Sequence, residues 1–88
     1  MARRPEVFDA LIEALDAALD GEWLRVHAIV QAHDGDPVAG WLHALHHKLE
    51  GDASNARYWY ARSPTDYDRF RDPKAELAAI RHALTQAG

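Results

Sequence analysis

The chain has no cysteine among its 88 residues. Disulfides, thiolate metal sites and thiol catalysis are therefore excluded, and with them the stapled scaffolds of small secreted domains. No run reaches the roughly 18 apolar residues that a membrane-spanning helix needs. Glu6, Asp9, Glu13 and Asp16 interrupt the apolar stretch near the start, which a signal-peptide core does not tolerate. Cationic excess is missing too: the formal net charge is -4 and the pI about 5.8. Arg57, Arg62, Arg69 and Arg71 are interleaved with Asp66, Asp68 and Asp72, so no nucleic-acid footprint is expected. A glycine-rich phosphate loop, a nucleotide fingerprint and a serine in a nucleophile setting are absent as well. Together these absences predict a cytoplasmic protein that has neither a membrane nor a nucleic acid as partner.

With 48% hydrophobic and 27% charged residues, the composition is that of a folded domain and not of a disordered tail. A single domain over residues 1–88 is expected. At this size only about 60% of the unfolded surface is buried on folding, so the core is small and self-association is one way to supplement it.

Hydrophobic periodicity predicts about five helices and no sheet. Pro5 and Glu6 suit a first helical turn, and Val7, Phe8, Leu11, Ile12, Leu15, Ala18 and Leu19 form an apolar stripe that ends at Gly21. A second helix follows to about His33, with Trp23, Val26, Ile29 and Val30 on one face. Pro37 starts a third, striped by Trp41, Leu42, Leu45 and Leu49 and closed by Gly51. Asp52 caps a fourth, which runs to Arg62 with Ala56, Trp59 and Tyr60 inward. Tyr67 and Phe70 anchor an irregular segment, and Asp72-Pro73 opens a last helix carrying Leu77, Ile80 and Leu84. Sliding the chain by 30 residues superimposes the first two helices on the next two, with Gly21 on Gly51 and Leu11, Leu15 and Leu19 on Trp41, Leu45 and Leu49. The expected fold is all-α: two stacked helical hairpins, similar to tetratricopeptide hairpins, plus a C-terminal capping helix.

Chemistry concentrates between Trp41 and Arg62, where three of six histidines, two of three tryptophans and two of three tyrosines fall. At roughly 100 degrees per residue, His43, His46, His47 and Glu50 share the side of the third helix opposite its apolar stripe. His43, His47 and Glu50 lie at successive turns, a spacing that suits a divalent metal such as zinc. The His-Glu-x-x-His order of a zincin is not there. Under the 30-residue shift Glu13 matches His43 and Asp16 matches His46, so stacking of the hairpins would place an acidic ridge beside the histidines. Glu13 and Asp16 are then candidates for a catalytic base. The alternative is a solvated polar face with ordinary charge pairing. Tyr58 and Arg62, one turn apart, either extend a ligand surface or form an exposed aromatic and arginine stack.

Read together, His43-Ala44, His47, Glu50-Gly51-Asp52, Asn55-Ala56, Tyr58-Trp59-Tyr60 and Arg62 resemble the signature of a group of small microbial proteins. The resemblance covers about a quarter of the chain. No activity is assigned to that group, so it implies a family and not a function. Two functions remain open. One is a module that binds a protein partner or forms a homo-oligomer through a surface of His43, His46, His47, Glu50, Tyr58 and Arg62. The other is a metal-dependent hydrolase with His43, His47 and Glu50 as ligands.

Overall fold

In the computed structural model, which describes residues 3–86, the chain folds into five helices with no strand among the described residues. They are α1 (Pro5–Leu19), α2 (Trp23–Gln31), α3 (Pro37–Leu49), α4 (Ala53–Tyr60) and α5 (Pro73–Gln86). α1 packs on α2 and α3 on α4, α2 packs on α3, and α5 lies against α1 and α3. The all-α expectation holds. None of the described helices is long and apolar enough to cross a membrane.

The internal repeat has a physical basis in two matching turns. Gly21 and Gly51 have φ of 75° and 82°, a left-handed conformation that a side chain makes costly. After each glycine the next N–H returns to the helix: Glu22 N donates to Ala17 O at 2.8 Å, and Asp52 N donates to His47 O at 2.9 Å. Both hairpins therefore open with the same Schellman closure. Side chains cap the starts of α3 and α4. Asp36 accepts from Val38 N at 2.8 Å ahead of α3, and Asp52 accepts from Asn55 N at 3.2 Å ahead of α4. Asn55 Nδ2 also donates to Asp52 Oδ2 at 2.7 Å, so the carboxylate closes the corner between α3 and α4.

α3 is the central helix. Every residue from Val38 to Leu45 on it is buried, because α2, α4 and α5 surround its first two turns. Two expectations fail for this reason. His43, placed on the solvated side by its periodicity, is only 4% exposed, whereas Leu49, beyond the packed turns, is 44% exposed. Leu19, at the corresponding end of α1, is 54% exposed. Leu77, Ile80 and Leu84 of α5 are buried against the body, so that helix offers no apolar face for self-association.

One side of α3 carries a buried polar knot. Glu76 of α5, 1% exposed, accepts from Trp41 Nε1 at 2.9 Å and from the Tyr60 hydroxyl at 2.5 Å, both through Oε2. Its Oε1 accepts from Lys48 Nζ at 3.3 Å. Lys48 also donates to Tyr67 O at 2.9 Å and Phe70 O at 2.7 Å, which uses all three ammonium protons. The knot ties the irregular 61–72 segment, with its half-buried Tyr67 and Phe70, to α3, α4 and α5. Burial and the Glu76 carboxylate both push the Tyr60 phenol up, so it remains a donor.

Candidate metal centre

The opposite side of α3 carries the histidines. His43 and His47 lie one turn apart on α3, and the packing of α2 on α3 brings His27 beside both. Ring centroids of His27 lie 4.8 Å from His43, 4.9 Å from His46 and 5.7 Å from His47. One ligand nitrogen from each of His27, His43 and His47 falls within 4.8 Å of the others, as do ligand atoms of His46, His47 and Glu50. Nitrogens on a tetrahedral zinc at about 2.0–2.1 Å sit roughly 3.3 Å apart.

Aromatic rings wall the cluster. Trp59 of α4 stacks on His43 with centroids 4.1 Å apart and planes 15° apart, and Trp23 of α2 stacks on His46 at 6.0 Å. Tyr58 meets Trp59 edge-on at 5.1 Å, and the Arg62 guanidinium lies 3.8 Å above the Tyr58 ring. Tyr58 and Arg62 thus form the exposed stack and sit two rings away from the histidines. Tyr58 is 51% exposed.

The electrostatics favour neutral imidazole here. Burial, and after it the neighbouring His27, His47 and His46, hold His43 down at about 4, with Glu50 acting in the opposite sense. His46 is lowered as well, chiefly by burial. His43 Nδ1 is buried and has no hydrogen-bond partner. A buried polar atom left without a partner costs about 1–3 kcal/mol relative to a paired one. His47 Nδ1 lies 2.6 Å from Glu50 Oε1. A carboxylate only accepts, so Nδ1 carries a proton and in the neutral ring Nε2 keeps its lone pair; a carboxylate behind an imidazole in this way is the usual support of a metal-bound histidine. The same bond holds Glu50 below the usual carboxylate range.

The structure redistributes the residues expected to act together. His43, His46, His47 and Glu50 do converge. Glu50 stands behind His47, and the third imidazole of the inner set is His27 of α2, which no sequence motif singles out. Glu13 and Asp16 do not reach the histidines: Glu13 accepts from Arg25 at 2.7 Å, Asp16 faces Arg81 at 3.4 Å, and both line a shallow groove with Asp9, Asp20 and Glu22. The reason is topological. α2 packs against α1 and α3 and brings its own His27 to the face that the acidic ridge was expected to share.

No known family model matches the chain, and no curated protein or solved structure is significantly similar to it.

Proposed function

We propose that the protein is a metal-binding helical-hairpin domain in which His27, His43 and His47 hold one divalent transition metal of the zinc class. The observation that carries this reading is a buried imidazole nitrogen without a partner, on His43, inside a set of three histidines whose ligand atoms lie within 4.8 Å of one another. Neutral imidazoles suit zinc, copper, nickel and iron, whereas magnesium and calcium prefer oxygen. Three protein ligands leave a fourth position for water or a small molecule, the arrangement of catalytic zinc. A hydrolase would use Glu50 as the nearest carboxylate, since Glu13 and Asp16 have arginine partners.

Metal analysis of untagged protein followed by zinc titration tests the proposal. The expected result is near one equivalent per chain for the wild type, with binding lost in His27→Gln, His43→Leu and His47→Gln. Binding that survives His27→Gln at wild-type affinity contradicts this ligand set.

A second reading, a tetratricopeptide-like module that binds a protein partner or a second copy, is supported by Leu24, which is 88% exposed, together with the half-exposed Leu19, Leu49 and Tyr58. It predicts a larger sedimentation species at high concentration that Leu24→Ser abolishes.

A further inference from the structure

We propose that His46, His47 and Glu50 form a loading position through which the metal passes between solvent and the inner His27, His43 and His47 set, so that the protein takes up and hands on its metal. The inference rests on the metal-binding reading above and goes beyond it in assigning a second position and a direction of traffic.

Two ligand sets exist and they share one residue. The ligand atoms of His46, His47 and Glu50, like those of the inner set, lie within 4.8 Å of one another. His47 belongs to both. The sets differ at their unshared ends: the outer one reaches solvent at Glu50, whose side chain is 47% exposed, and the inner one contains the buried His43, while His27, His46 and the shared His47 are partly buried. A hydrated cation arriving from solvent therefore meets the carboxylate first. Glu50 attracts it, His46 and His47 replace water, and His43 lies one step deeper.

Simultaneous occupancy is disfavoured by charge. Two dications on one imidazole repel strongly at so short a separation, and the single carboxylate Glu50 offsets one of four positive charges. Ligation through both ring nitrogens of His47 would also require removal of its last ring proton. Sequential occupancy avoids both costs. In the outer position His47 ligates through Nδ1, which now faces Glu50 at 2.6 Å, and its proton resides on Nε2. In the inner position Nε2 ligates, and the proton, exchanged through solvent, resides on Nδ1 and is donated to Glu50. One proton changes nitrogen, no electron moves, and the metal keeps its charge.

The test uses the full chain and cobalt(II), which quenches tryptophan fluorescence. Trp59 stacks on His43 and Trp23 on His46, so both positions lie beside a reporter. Rapid mixing gives the loading rate, chelator chase gives the release rate, and equilibrium titration gives Kd. The expected result is one equivalent in the wild type, with His46→Gln slowing loading and release alike by about ten-fold while Kd changes by less than about two-fold. Glu50→Gln, at an exposed position that leaves an acceptor for His47, should also slow loading. Wild-type loading rates in both variants overturn the proposal. So does a Kd that weakens with no change in loading rate, because that marks His46 as a support of the inner site only. Two equivalents bound together overturn it too. No binding by the wild type defeats the metal reading itself, an outcome distinct from all of these.

Discussion

The two sides of α3 bury polar groups in opposite ways. On one side, Glu76 accepts from Trp41, Tyr60 and Lys48, and every ammonium proton of Lys48 has an acceptor. On the other, His27, His43, His46 and His47 crowd together with one short hydrogen bond, from His47 to Glu50, and a buried nitrogen of His43 that has none. Both sides are rich in aromatic rings, so burial alone does not separate them. The distinction is in satisfaction. A closed polar network gives its energy to the fold, whereas a cluster with surplus lone pairs keeps its energy for a ligand.

That contrast makes substitutions on the two sides behave differently. The largest effect belongs to the knot: Glu76→Gln leaves Lys48 without its anion and should cost about 3–5 kcal/mol, read by denaturant unfolding, because breaking a buried charge pair strands the other partner. Tyr60→Phe removes one donor to that carboxylate and should cost about 1.5–3 kcal/mol in the same measurement. On the histidine side the sign reverses. His43→Leu removes the orphaned nitrogen and keeps the packing against Trp59, so the metal-free protein should hold or gain stability by about 1 kcal/mol while metal binding is lost.

A pH dependence sharpens the same comparison. In the fold His43 titrates at about 4, held there by burial and by the facing His27, His46 and His47, with Glu50 opposing them. In the unfolded chain an ordinary imidazole titrates near 6.5. Between those values the unfolded state binds a proton that the native state does not, so metal-free stability should fall as pH drops from about 6.5 towards 4. Thermal melts across that window should show the loss in the wild type and a flatter profile in His43→Leu. The smallest effect is expected at the acidic ridge. Glu13→Gln and Asp16→Asn remove exposed pairs with Arg25 and Arg81 and should leave both the melting temperature and zinc binding nearly unchanged.

Much of the fold was legible because helix ends and stripes are local. Pro5, Pro37 and Pro73 begin helices, Asp52 caps α4, and the glycine register at Gly21 and Gly51 recurs in both hairpin turns. The site was legible only on its own helix. His43, His46, His47 and Glu50 can be grouped from the period of α3, but His27 enters through the packing of α2 on α3, and in a single sequence nothing separates it from a surface histidine. The burial of His43 escapes the sequence pattern for a related reason. Periodicity assigns one apolar face, and a helix enclosed on several sides buries its second face as well. Glu76 did leave a signal. It stands one turn before Ile80, at the edge of the apolar stripe of α5, where an acid needs a partner.

The claim that the histidine side is built for a ligand is tested most directly by melting the metal-free wild type and His43→Leu with and without zinc. The account predicts that zinc raises the wild-type melting temperature and leaves His43→Leu unmoved, while the metal-free variant melts at or above the wild type. A wild type indifferent to zinc, paired with a His43→Leu protein that melts several degrees lower, would contradict it and make the cluster a packing element like the Glu76 knot.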